Sequence, residues 1–160
     1  MAPSVVVIGV GNELRGDDGA GLEVARRLAD LGRQTEIKMC SHEGDGLALL
    51  ELWDGAGAVV LVDTVRSGAA AGAIQRIDAA CNPIPTSLRC SSSHSFGVAE
   101  AIELARILGT LPRTFVVYGV EGVSFEAGAE VSEDVAGAMD LLEDCVRQEV
   151  RALRAQRRST

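Results

Sequence analysis

Val5-Val6-Val7-Ile8-Gly9-Val10-Gly11-Asn12, continued by Glu13-Leu14-Arg15-Gly16-Asp17-Asp18-Gly19-Ala20-Gly21, decides how this chain folds. An unbroken apolar run enters a glycine-rich turn, and an amphipathic stretch leaves it. That order reads as strand, turn and helix start. Such a turn usually cradles a phosphate, because free backbone N–H groups and the helix dipole favour an anion. Here the turn itself carries Glu13, Asp17 and Asp18. Their charges repel a pyrophosphate and suit a metal cation instead.

Two further apolar runs, Ala58–Val62 and Phe115–Tyr118, resemble Val5–Ile8 and suit strands covered on both faces of a parallel sheet. Glu36-Ile37-Lys38-Met39 and Ile74-Gln75-Arg76-Ile77 alternate, as strands nearer an edge do. Helical periods lie between them. Ala20, Val24, Leu28 and Leu31 form one stripe, with Gly32 as its expected C-cap. Asp45 is placed to cap a short helix carrying Leu47, Leu50 and Trp53. Val98, Ala101, Ile102 and Ala105 form a third stripe, closed by Leu108-Gly109. Ser132 opens a long last helix with Val135, Met139, Leu142, Val146, Val150 and Leu153 on one side. The alternation predicts one α/β domain over residues 1–160, with a mostly parallel twisted sheet and helices on both faces.

With 160 residues, 47% of them hydrophobic, the chain is long enough to bury a substantial core. Its net charge of -8 argues against general binding to nucleic acid or anionic membranes. The local exception is Arg147, Arg151, Arg154, Arg157 and Arg158, read as a solvated helix end rather than a docking patch. Cys40, Cys81, Cys90 and Cys145 form no CxxC pair and no zinc spacing. Cys40 and Cys145 read as packed thiols, while Cys81 and Cys90 flank the irregular Pro- and Ser-containing stretch Cys81–Ser93. No secretory leader and no membrane span is recognised, so the expected location is cytoplasmic.

Sites in a parallel α/β sheet gather beyond the carboxyl ends of the strands. Asp17 and Asp18 follow the first strand, Asp63 ends Val59-Val60-Leu61-Val62, and His94 precedes the third helix. Each has a purely structural reading: one of Asp17 and Asp18 caps a helix, Asp63-Thr64 opens a turn, and His94 is a packed or solvated histidine. Together they bring carboxylates and an imidazole to one rim, a mixed O/N set suited to a divalent transition metal with positions left open. His42 is expected at the lip of that rim. The Ser91-Ser92-Ser93 run lacks a GxSxG elbow and does not read as a serine nucleophile.

On these residues the chain resembles the hydrogenase maturation proteases, the endopeptidases that trim the large subunit of nickel–iron hydrogenases. Gly9-Val10-Gly11-Asn12 followed by Asp17-Asp18-Gly19-Ala20-Gly21 is similar to the family's GxGN and D[DE]xxG signature. Leu61-Val62-Asp63-Thr64-Val65, His94-Ser95-Phe96-Gly97 and Gly119-Val120-Glu121 resemble its later motifs in order and spacing. His42-Glu43-Gly44 departs from the Gly-Gly-Thr often found there.

The resemblance implies a three-layer α/β/α sandwich and a carboxylate–carboxylate–histidine site of Asp18, Asp63 and His94. It makes Asp18, not Asp17, the functional acid; Asp17→Asn is expected to be the milder change if that residue only caps the helix. It also implies a nickel–iron hydrogenase large-subunit precursor as partner, with nickel carried by that precursor, and either an aspartic-type or a nickel-dependent cleavage. Two other classes stay open on the sequence alone: a non-catalytic nickel-binding chaperone of the same precursor, and a dinucleotide-binding protein using Gly9-Val10-Gly11.

Overall fold

The computed structural model describes residues 4–34, 36–85 and 95–160. Five strands form one sheet: β1 (Val5–Val10), β2 (Ile37–His42), β3 (Ala58–Val65), β4 (Ile74–Asp78) and β5 (Thr114–Glu121). Their order across the sheet is β2-β1-β3-β5-β4. The first four neighbours run parallel and β4 runs antiparallel to β5. The helices are α1 (Ala20–Arg27), α2 (Gly46–Trp53), α3 (Val98–Leu108) and α4 (Glu133–Arg158). The continuously apolar runs occupy the three central strands, and the alternating ones occupy the two edges, as both patterns require.

Successive residues of each central strand feed opposite cores. Val5, Val7, Val60, Val62, Val116 and Tyr118 face α1 and α4. Val6, Ile8, Val59, Leu61, Phe115 and Val117 face α2 and α3. The result is the expected α/β/α sandwich. On the second face Trp53 meets Phe115 edge-on, with ring centroids 4.9 Å apart, a geometry favoured by the ring quadrupoles. Every apolar residue expected on the inner stripe of α4 is buried. Glu149 clamps that helix to the sheet edge, accepting from the Tyr118 hydroxyl at 2.6 Å and from Arg76 at 2.8 and 2.9 Å.

Two local expectations need correction. Gly32 is not the C-cap of α1, which ends at Arg27; it sits in a 3-10 turn, Ala29–Arg33. A side chain at Gly32 would press on Met39 at 3.1 Å, so its role is to let that turn approach β2. In α2 the buried residues are Leu49 and Trp53, while Leu47 is 65% exposed. Asp45 does cap this helix, accepting from Leu47 N–H at 3.0 Å. The phase is set by Gly46, which lies so close to Phe96 that a Cβ would stand 2.4 Å from the ring. Gly109, by contrast, does close α3 in the left-handed region, with φ 72°.

The C-terminal arginines are largely engaged within the fold. Arg154 and Arg158 reach Glu36 at 3.1 and 3.3 Å, and Arg147 pairs with Asp30 at 2.9 Å. They tie the end of α4 to the segment that enters β2. Among the described residues no helix is long and apolar enough to cross a membrane.

Val60 is fully buried at the centre of β3. Val60→Asp should cost about 4 kcal/mol or more, a large part of a stability of about 5–15 kcal/mol. Thermal unfolding followed by circular dichroism should lose its cooperative transition or show a much lower midpoint.

Candidate active site

From β1 the chain crosses to β2 on one side, then returns to β3 on the other. The connecting helices α1 and α2 cover opposite faces, so the carboxyl ends of β1 and β3 border an open crevice. Gly9 pairs with Val62, which brings Val10-Gly11 and Asp63 to the same rim.

The loop after β1 owes its glycines to close packing. Gly11 has φ 150°, and a Cβ there would stand 1.8 Å from the Asp18 carbonyl oxygen. At Gly21 a Cβ would meet the carbonyl oxygens of Val10 and Val62, both at 2.4 Å. The first turn of α1 therefore rests directly on the two strands. This replaces the phosphate-cradle reading: the glycines admit the Asp18 backbone and the helix, and the loop brings carboxylates to the crevice.

Asp17 and Asp18 lie in a 3-10 turn, Gly16–Gly19, ahead of α1, and neither side chain caps that helix. Asp17 is fully buried. Its Oδ2 accepts from the Val123 and Ser124 N–H groups at 2.8 and 3.0 Å and from the Ser132 hydroxyl at 3.0 Å; its Oδ1 accepts from Ser132 N–H at 2.7 Å. Its own N–H donates to Ser124 O at 2.8 Å. Its carbonyl accepts from the Thr64 hydroxyl at 2.6 Å. Burial by itself would raise this carboxyl, but the Val123, Ser132 and Ser124 donors outweigh it and hold Asp17 below its ordinary value. Ser132 relays the link, since its hydroxyl also accepts from Val135 N–H at 3.4 Å at the start of α4.

Through Thr64 the turn is fastened beside Asp63. Residue 63 shares the face of Val59 and Leu61, and it lines a gap of about 20 Å³ with Val98, Ala99 and Ile102 at the start of α3. Asp63 is 9% exposed and Asp18 is 7% exposed. Among the described residues Asp63 accepts only from its neighbour Thr64 N–H, at 2.8 Å. Burial first, and then the nearby Asp18 charge, push its carboxyl well above the ordinary range. Burial also raises Asp18, partly offset by the Arg15 guanidinium and by Asn12 N–H. Asp18 and Asp63 are thus an electrostatically coupled pair in which one carboxyl readily retains a proton.

His94 lies outside the described residues, as does Cys90; the described chain resumes at Ser95. Among the described residues no three His, Cys, Asp or Glu side chains form a metal-holding group. His42 ends β2 at the neighbouring rim, where a cavity of about 450 Å³ is bordered by Gly11, Leu22 and Asp45. Its Nδ1 accepts from Gly44 N–H at 2.9 Å. Glu121 plays a different part, closing the turn after β3. It accepts from Ser67 and Gly68 N–H groups at 2.9 and 3.0 Å and from the Ser67 hydroxyl at 2.6 Å. The bracing roles of Asp17 and Glu121 were not readable from local sequence, because their partners lie 53–115 positions away.

Asp17→Asn is accordingly expected to be severe, not mild. An amide nitrogen would face donors where a carboxylate faced them, costing about 2–4 kcal/mol at neutral pH. Because folding lowers the Asp17 pKa, its contribution is complete above the unfolded value of about 4 and fades as pH falls through the folded value. Urea titrations of both proteins should therefore differ most at pH 7 and converge below about pH 4.

The chain and its fold have counterparts among known proteins. The family model for hydrogenase maturation proteases of the HycI type matches residues 24–149. The hydrogenase expression/formation protein HupD of Rhodobacter capsulatus is 28% identical over 153 residues, covering 94% of this chain and 71% of that protein. HupD of Thiocapsa roseopersicina is 26% identical over 125 residues, covering 78% and 57%. The fold matches the hydrogenase maturating endopeptidase HybD from E. coli with a TM-score of 0.75, at 20% identity over 95% of this chain and 93% of that one. It also matches the [NiFe] hydrogenase maturation protease HycI from Thermococcus kodakarensis with a TM-score of 0.67, at 23% identity over 90% of each chain. Since the matched segment spans most of the sheet and its helices, the chain belongs to the hydrogenase maturation protease family.

Proposed function

We propose that this protein is the endopeptidase that removes the C-terminal extension of a nickel–iron hydrogenase large-subunit precursor after nickel insertion, with Asp18, Asp63 and His94 as its working residues. The observation that carries this reading is the buried, charge-coupled pair Asp18 and Asp63 at the crevice between β1 and β3. Peptide hydrolysis adds water across a C–N bond, so one proton must leave the attacking water and one must reach the departing amine. A carboxyl pair of which one member is ionised and the other protonated can do both. The raised Asp63 is the natural proton holder, and Asp18, with Arg15 beside it, is the natural acceptor.

In their ionised forms the same oxygens, joined by a nitrogen from His94, would make a mixed O/N set that suits the nickel carried by the precursor. Recognition of the loaded precursor and its cleavage then use one crevice. A chaperone that binds the same precursor without cutting it would use the same donors, and turnover separates the two readings. The dinucleotide reading has no support in the loop, whose glycines are taken up by close packing.

His94→Ala, Asp18→Asn and Asp63→Asn should each reduce processing of nickel-loaded precursor by about 100-fold or more. The mobility shift of the precursor large subunit measures this, with nickel-free precursor as the comparison and expected to stay uncut. Asp63→Asn should keep a thermal midpoint at least equal to the parent, because it replaces a buried carboxyl whose ionisation burial and the Asp18 charge oppose with a neutral group of similar size. Normal processing by the His94 variant, or equal cutting of nickel-free precursor, would overturn the metal-recognition reading. Tight binding of loaded precursor with no cleavage by the parent protein would favour the chaperone.

A further inference from the structure

Arg15 is a charged residue of the signature loop whose work is not explained by packing alone. Its Nε donates to the Phe125 carbonyl at 3.1 Å, across 110 positions of chain. Phe125 is a firm anchor. Its side chain is nearly buried, Arg66 lies over its ring at 4.1 Å from the centroid, and the preceding Val123 and Ser124 are fastened by Asp17. The Arg15 guanidinium plane is therefore aimed from a rigid point.

Its Nη1 faces Asp18 Oδ2 at 3.7 Å. That is ion-pair range, yet about 0.8 Å beyond the usual N–H···O separation of about 2.9 Å. Among the described residues Nη1 is buried and has no hydrogen-bond acceptor. An unsatisfied charged donor is expensive to bury, and the Asp18 carboxylate is the acceptor one small movement away. A guanidinium fork can hold the Phe125 carbonyl with one N–H and face a carboxylate with another. A lysine ammonium, on a flexible stem, lacks that fixed double reach.

We infer that Arg15 is the positioning residue of this crevice: anchored on the Phe125 carbonyl, it sets the direction in which Asp18 presents its carboxylate to the precursor. The inference rests on the reading of Asp18 as a working carboxylate. A plain strut between the Gly16–Gly19 turn and Phe125 would serve stability only. A positioning residue instead governs turnover, since a misplacement of about 1 Å can cost about 100-fold in rate.

The test measures processing of nickel-loaded precursor over a range of precursor concentrations, with thermal midpoints, for the parent, Arg15→Gln, Arg15→Lys and Asp18→Asn. Arg15→Gln should lose about 10–100-fold in kcat, with KM within about twofold of the parent and a midpoint lowered by only a few degrees. Arg15→Lys should recover part of that loss, because it restores charge without the fork. Parent-like kcat in Arg15→Gln, or a loss no larger than its unfolded fraction, would overturn the inference. So would a raised KM with unchanged kcat. Should Arg15→Gln not fold, Arg15→Lys decides, full turnover overturning the inference and reduced kcat at unchanged KM supporting it. Failure of the parent to process precursor, or normal processing by Asp18→Asn, would instead sink the reading of the site.

Discussion

The burial of Asp17 is the constraint on which the crevice depends. Three backbone N–H groups and one hydroxyl converge on a carboxylate with no exposure to solvent. A buried ion survives only when such donors replace its water. In satisfying Asp17, the segment between β5 and α4 is drawn over the Gly16–Gly19 turn. The Thr64 hydroxyl fixes the same turn to β3. Asp18, the next residue, is thereby held near enough to Asp63 for its charge to act there.

Two adjacent acids thus receive opposite environments. Asp17 is saturated with donors, and its ionised form is stabilised. Asp18 and Asp63 are buried with few donors among the described residues, and Asp63 also feels the Asp18 charge, so their ionised forms are disfavoured. The first arrangement stabilises the fold, while the second keeps carboxyls whose ionised form is disfavoured, at a cost to stability. Perturbed groups gather at functional sites for this reason. Arg15 stands between the two conditions, anchored to the braced segment by Nε and turned toward Asp18 by Nη1.

The sheet topology supplies the place, and the glycines supply the closeness. Because β1 has β2 on one side and β3 on the other, helices leave in opposite directions and open a crevice between them. Side chains at positions 11 and 21 would collide with backbone oxygens. Their absence lets the acidic turn and the first helix sit against the strand ends. A glycine signature shared in outline with nucleotide-binding loops is therefore used here to admit carboxylates rather than a phosphate.

Sequence by itself determined what depends on local periodicity and polarity. Continuous apolar runs marked β1, β3 and β5, alternation marked the two edge strands, and the stripe of α4 was read residue for residue. Asp18 and Asp63 were legible as rim residues because strand ends and turns are local events, while His94, expected before α3, lies outside the described residues. Only the tertiary structure decided that Asp17 is a brace, that Glu121 closes a turn, that α2 buries Leu49 rather than Leu47, and that Arg15 is aimed from Phe125. The brace, the turn closure and the aim of Arg15 arise from contacts between segments far apart in the chain, and the phase of α2 from the meeting of Gly46 with Phe96. Spacing along a sequence records which residues share a face; it does not record which distant backbone groups will close upon a charge.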